Sequence, residues 1–116
     1  MSPLKESRYP ELERLGARYP DLTPCLADVL RAFEILRDCF AAGGKLLICG
    51  SGGSAADSEH IVGELMKSFK RARPVPDVVR ARLTETFPGE GEALANQLQG
   101  ALPALSLVSQ IALLTA

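Results

Sequence analysis

From Lys45 to Gly50 the chain reads KLLICG, a short apolar run that passes directly into Gly50-Ser51-Gly52-Gly53-Ser54. A short apolar run of this kind fits a strand buried on both faces, as in a parallel sheet covered by helices. After the glycines, Ser54 to about Arg71 can form a helix, with Ala55, Ala56, Ile61, Leu65 and Phe69 packing inward and Pro74 and Pro76 ending it. Strand, glycine turn and helix in that order are the building unit of an α/β protein.

The flanking segments extend that pattern. Residues 11–18 can form a short helix stopped near Tyr19-Pro20. Thr23 is placed to cap a helix and Pro24 to occupy its first position, where the missing N–H costs nothing. Leu26, Val29, Leu30, Phe33, Leu36 and Phe40 then mark an apolar face interrupted only by Arg37, and Gly43-Gly44 stops the helix, so it should span about 24–42. Residues 77–86 and 91–99 read as two short helices around FPGEGE, and ALSLVS from Ala104 is a second strand candidate. The order predicts the front half of an α/β sandwich with a parallel sheet. Two strands make a poor core, and the sequence ends on an uncapped apolar stretch. The expectation is therefore a fragment of a longer protein, or a chain that folds against other copies.

Composition narrows the function classes. With 116 residues there is room for one small domain, and 47% hydrophobic with 23% charged residues fits a folded globular chain. A net charge of −1 supplies no general attraction to nucleic acid or to an anionic membrane. The local basic cluster of Lys67, Lys70, Arg71 and Arg73 suits the C-terminal end of a helix. Cys25, Cys39 and Cys49 are odd in number and lack CxxC spacing, which argues against a disulfide framework or a zinc knuckle. They read as reduced thiols in a cytoplasmic protein, with Cys49 a small core residue. MSPLKESRYPELERLG has no signal-peptide core, and ALPALSLVSQIALLTA is too short and too broken to span a bilayer.

The glycine turn has a chemical use. Glycines allow positive φ and close backbone approach to a ligand. First-turn N–H groups at Gly53, Ser54 and Ala55, with the positive end of the helix dipole, form an anion site, and Ser51 and Ser54 add hydroxyls. A phosphate is the natural guest. The plainer alternative is a tight structural βα turn with Ser54 as its cap. A third reading takes Gly50, Gly52 and Ala55 as G-x-G-x-x-A, a dinucleotide fingerprint. That reading needs an acidic strand end soon after the helix, and KSFKRARPVPD stands there instead.

His60, the single histidine, and Glu64 are four residues apart, so a helix brings them to one face about 6 Å apart. Imidazole and carboxylate make half of a zinc site, or a pair for proton transfer between adjacent carbons of a sugar. The plainer alternative is an exposed ion pair worth a few tenths of a kcal/mol. A phosphorylated sugar with its phosphate in the glycine turn would lay its other end near Glu64.

The stretch GSGGSAADSEHIVGELMKSFKRARP resembles the signature of the sugar isomerase (SIS) domain, in its phosphoheptose isomerase branch, which reads G-N-G-G-S, then A-A/C-D, then a histidine and a glutamate four apart, then a basic segment. LQGALPALSL resembles the strand that follows in that branch, so the likeness covers roughly residues 24–116. The resemblance implies a three-layer α/β/α sandwich with a five-stranded parallel sheet. It implies interconversion of sedoheptulose 7-phosphate and an aldoheptose 7-phosphate through an enediol, with zinc in many members. It also implies substrate contacts at Ser51, Gly52, Gly53 and Ser54, with Ser54 on the phosphate, and zinc ligation by His60 and Glu64, with Glu64 also the acid/base. Family members are commonly tetramers with shared sites, so self-association as a homotetramer or homodimer through the 24–42 helix is implied as well. Residues 1–23 would be a helical extension and 24–116 a partial SIS domain with a short helical insert at about 77–100. Ser51 stands where asparagine is usual, and the family's Asn-Asp pair, its second phosphate loop and its C-terminal glutamine and histidine would lie beyond Ala116.

Two further function classes follow from the same residues. Some SIS proteins bind phosphosugars without turnover or act in assemblies, including at DNA replication initiation, and such a protein needs neither His60 nor Glu64. A dinucleotide domain would instead bind NAD(P) saturably. The presence of both His60 and Glu64 favours the isomerase.

Overall fold

A computed structural model describes residues 8–110. The terminal stretches, including the apolar IALLTA on which the sequence ends, lie outside the described residues. The chain divides between Ala42 and Gly43 into two compact units.

In the first unit, helix α1 spans Pro10–Arg18, with Pro10 at its start and Glu11 and Glu13 in the first turn, where the helix dipole favours acids. A 3-10 turn follows at Pro20–Cys25, and helix α2 runs Leu26–Ala41. The helix predicted over 24–42 therefore begins two residues later than expected. Pro20 and Pro24 impose the tighter turn, and the Thr23 hydroxyl donates to the carbonyl of Pro20 at 2.6 Å instead of capping α2. Tyr9 ties α1 to α2, edge-on to Phe33 with ring centroids 5.8 Å apart and its hydroxyl 3.3 Å from Glu34 Oε1. The predicted apolar stripe of α2 is real as a pattern, but Val29 and Phe33 remain 42% and 49% exposed. Gly43, at φ +77°, ends the helix as expected.

In the second unit, strand β1 (Leu46–Ile48) leads through the glycine turn into helix α3 (Gly53–Met66). Two short helices follow, α4 (Asp77–Thr86) and α5 (Gly91–Gln97), then strand β2 (Ala104–Ser106) and a 3-10 turn at Leu107–Ser109. The two helices predicted around FPGEGE are thus present, the second ending at Gln97 and not at residue 99 because Leu98 is extended. The second strand is shorter than ALSLVS, because the chain tightens into the 3-10 turn after Ser106. β1 and β2 pair in parallel with Leu46 opposite Ala104, Leu47 opposite Leu105 and Ile48 opposite Ser106. The described residues thus form an α/β arrangement on a two-stranded parallel sheet, as the strand–turn–helix pattern predicts.

Burial departs from the sequence reading in a consistent way. Paired residues share a sheet face, so Leu47 and Leu105 lie together, and both are exposed. β1 is therefore covered on one face rather than two, since no described element of this unit lies over the other. On α3, Ser58 is buried and Ala55, Val62 and Leu65 are half-buried, whereas Ala56 and Ile61 are exposed, as is Phe69 beyond the helix end. The helix stops at Met66, short of the expected Arg71, because Lys67 adopts an extended conformation. Cys49, expected in the core, is exposed.

The insert has its own small core. A Cβ on Gly91 would lie 2.1 Å from the carbonyl oxygen of Leu83, so α4 and α5 touch where only glycine fits. Gly91 and Ala95 are buried at that crossing, and Arg80 Nη1 donates to Asn96 Oδ1 at 2.8 Å beside it. At its base, Pro74 and Gln99 form an antiparallel bridge, and the Gly100 N–H donates to the Arg73 carbonyl at 2.7 Å. None of the described helices is long and apolar enough to cross a membrane.

Candidate functional site

The glycine turn is built from two different requirements. At Gly50 the constraint is space: a Cβ there would lie 2.3 Å from the Ser54 carbonyl oxygen and 2.4 Å from its carbon. The first turn of α3 is packed directly onto the end of β1. At Gly52 the constraint is torsion, since φ 58° and ψ −124° lie in a region that side-chain-bearing residues avoid. Gly53 opens α3 with nothing within 4 Å of the place a Cβ would take, so neither requirement holds there.

The backbone donors differ from the sequence expectation. The Ser54 N–H reaches the Ser51 carbonyl at 3.2 Å and the Ala55 N–H reaches the Gly52 carbonyl at 3.1 Å. Two of the three expected free donors therefore close the turn on itself. Ser54 is not the helix cap either. Gly52 holds that position and no side chain caps the helix. Ser51, Gly52, Gly53 and Ser54 are all exposed, so the rim of the turn faces outward with its hydroxyls accessible. From inside, the Ser58 hydroxyl donates to the Ser54 carbonyl at 2.7 Å and steadies the first turn.

His60 and Glu64 meet as the spacing predicts. His60 Nε2 and Glu64 Oε1 are 3.2 Å apart, with the imidazole 77% exposed and the carboxylate side chain 25% exposed. At 3.6 residues per turn, Gly53, Asp57, His60 and Glu64 fall on one stripe of α3, on the side away from Ser58 and Leu65. Gly53, where the turn enters the helix, and the His60/Glu64 pair therefore lie on the same side of α3, whereas Ser54 falls on the side of Ser58. From Gly53 to Glu64 the helix rises about 16 Å, and side chains lean back toward the N-terminus, which shortens the gap.

The metal reading can be tested on these donors. Zinc in proteins takes three or four side-chain ligands. Among the described residues no group of three or more His, Cys, Asp or Glu side chains converges. His60 and Glu64 alone do not fit a zinc ion, and their hydrogen-bonding atoms are turned to each other.

Two contacts were not foreseen from the sequence. Arg73, read as part of a solvated basic cluster at a helix end, folds its guanidinium back onto the terminal carbonyls of α3. Ser109 donates its hydroxyl to Glu59 Oε1 at 2.5 Å, joining the turn after β2 to α3. The position of Arg73 beyond the helix end was the available signal for the first. No local pattern marks the second.

A family model described as the SIS domain matches residues 25–99. The chain belongs to the SIS domain family. Curated relatives of this SIS domain carry the name phosphoheptose isomerase. One from Campylobacter jejuni is 49% identical over 45 residues, covering 39% of this chain and 24% of the relative. One from Akkermansia muciniphila is 42% identical over 60 residues, covering 52% of this chain and 32% of the relative. One from Helicobacter hepaticus is 40% identical over 73 residues, covering 63% of this chain and 36% of the relative. The matched part of the SIS domain thus spans between 24% and 36% of those relatives' length. No solved structure matches the chain.

Proposed function

We propose that the protein bearing this SIS domain is a ketose–aldose isomerase of phosphorylated sugars, with sedoheptulose 7-phosphate as substrate. The observation that carries this reading is the shared stripe on α3, which sets Gly53, the last glycine of the turn, and the His60/Glu64 pair on one side of one helix. The phosphate binds at the rim formed by Ser51, Gly52, Gly53 and Ser54, held by hydroxyls and the positive end of the helix. The sugar chain runs along α3, and a heptose is long enough to bring its carbonyl end toward Glu64.

The Glu64 carboxylate then takes the proton from the carbon beside the carbonyl. The electron pair of that C–H bond becomes the carbon–carbon double bond and the carbonyl pair moves onto its oxygen. A proton passes from the adjacent hydroxyl to that oxygen through the enediol, and the carboxylic acid returns its proton to the former carbonyl carbon as the new carbonyl forms. His60, 3.2 Å from Glu64 Oε1, orients the carboxylate. Zinc ligation by His60 and Glu64 would require further donors from another segment or another copy, and the step above does not depend on it. The reading extends to a complete three-layer α/β/α sandwich in a cytoplasmic protein, with residues 1–23 as a helical extension and 24–116 as part of the SIS domain. It places a homotetramer or homodimer contact on the 24–42 helix, whose Val29 and Phe33 are exposed.

The test is isomerisation of sedoheptulose 7-phosphate in deuterated water by the protein at its natural length. Deuterium should enter the product at the carbon that receives the proton, and Glu64→Gln should lower turnover by about 10²–10⁴-fold while the sugar phosphate still binds. Binding without turnover in the unmodified protein would replace this reading with a phosphosugar-binding or assembly role.

A further inference from the structure

Glu64 lies in the last turn of α3, where backbone carbonyls have no further helical N–H to meet. One side chain meets them. Arg73 Nη2 donates to the carbonyls of Leu65 at 2.6 Å, Lys67 at 2.7 Å and Glu64 at 3.3 Å. Its Nε donates to the Gly100 carbonyl at 2.9 Å. The Leu65 carbonyl also accepts from the Leu102 N–H at 2.9 Å. A single guanidinium thus joins the end of α3, the base of the α4–α5 hairpin and the approach to β2.

The chemistry of the side chain suits this place. A cation is favoured at a helix C-terminus, and hydrogen bonds from a charged donor are the strong ones. Arginine's planar fork can donate in two directions at once, toward the helix end and toward Gly100, whereas an ammonium is a point donor. Helix ends fray when their carbonyls are unmet, and a carboxylate in a fraying turn would sample several positions.

We infer that Arg73 is a positioning residue for Glu64. Its guanidinium fixes the last turn of α3 and with it the direction from which the Glu64 carboxylate meets a ligand. The inference rests on the proposed role of Glu64 in proton transfer. It assigns Arg73 no contact with substrate. Because the phosphate rim lies at the opposite end of α3, loss of Arg73 should act on turnover and spare phosphate binding.

The experiment compares Arg73→Lys and Arg73→Gln with the unmodified protein at its natural length. The readouts are kcat and KM for sedoheptulose 7-phosphate and the imidazole NMR signal of His60, assigned by its loss in His60→Gln. A misplacement of about 1 Å costs up to ~100-fold in rate, so kcat should fall by roughly 10- to 100-fold in both variants with KM within about twofold. The His60 signal should move toward its position in Glu64→Gln. If kcat and the His60 signal are unchanged in both variants, the inference fails. It also fails if KM rises in step with the fall in kcat and the melting temperature drops, since that marks a purely structural arginine. If the unmodified protein isomerises nothing yet the His60 signal responds to Arg73→Gln, the positioning link stands and the isomerase reading falls.

Discussion

Three glycines in the turn after β1 can be separated by alanine substitution, because each meets a different constraint. At Gly50 a Cβ would lie 2.3 Å from the Ser54 oxygen and 2.8 Å from the Ser54 Cβ. Ordinary contact requires the first turn of α3 to retreat by about 1 Å. That retreat is opposed by the Ser58–Ser54 hydrogen bond of 2.7 Å and by backbone on both sides. Overpacking of this kind costs ~1–3 kcal/mol. At Gly52 there is open space, but φ 58° with ψ −124° imposes backbone strain of ~1–3 kcal/mol on alanine. At Gly53 there is open space and no positive φ, so alanine in the first turn should be neutral or stabilise by up to about 1 kcal/mol through the unfolded state.

For a domain of this size, each kcal/mol moves the melting temperature by about 4–8 °C. Gly50→Ala and Gly52→Ala should therefore each melt roughly 4–24 °C lower, and Gly53→Ala should melt at or above the unmodified temperature, all followed by circular dichroism. The same Gly53→Ala protein places a methyl on the outward rim proposed to hold phosphate. Isothermal titration with sugar phosphate should show binding weakened about tenfold or more, as expected for one lost charge-assisted hydrogen bond. If Gly53→Ala destabilises as strongly as Gly50→Ala, the division of labour among these glycines is wrong. If it neither destabilises nor weakens binding, the rim is not the phosphate site.

Other outcomes follow from single contacts. Ser106 is 4% exposed and its hydroxyl has no partner among the described residues, so Ser106→Ala should raise stability by about 1 kcal/mol, read from the urea midpoint. Gly91→Ala would press a methyl against the Leu83 carbonyl at 2.1 Å and should lower stability by about 1–3 kcal/mol, read the same way. The Asp38 carboxyl is held below the usual carboxylate range by the hydrogen bond from Arg37 Nε at 2.8 Å. A depressed pKa contributes stability above the unfolded value and loses it as pH falls through the folded one. Asp38→Asn should therefore melt slightly lower at neutral pH, with the gap closing in acid and shrinking in high salt because the pair is exposed.

The parts of this fold that could be read from the sequence are those written in local spacing. The β1–turn–α3 unit follows from an apolar run meeting glycines, and the α4–α5 pair from short helical stretches around FPGEGE. His60 and Glu64 come together because four residues make one helical turn. What the sequence did not disclose depends on contacts between distant segments or on which faces are covered. Ile61 and Phe69 belong to an apolar pattern, but Ile61 sits at the margin of the face that carries Ser58 and Leu65 and stays exposed, and Phe69 lies beyond the end of α3. Thr23 has a capping residue's identity, yet Pro20 and Pro24 fold the backbone so that a carbonyl claims its hydroxyl first. Arg73 looked like one cation among several, because nothing within a helical turn of it announces that the chain will bring Gly100 back beside it.

The antiparallel bridge between Pro74 and Gln99 gives the intervening helices an unusual independence. Bridged residues stand about 5 Å apart, little more than the ~3.8 Å between successive Cα atoms. Everything from Val75 to Leu98 therefore leaves and re-enters the sheet-bearing body through one narrow neck. A link of one or two residues could close that neck, leaving Arg73, Gly100 and the path into β2 where they are. The hairpin is in effect a cassette: beyond Val75, which is itself buried, a change in its length or sequence reaches the scaffold that carries His60 and Glu64 through that neck.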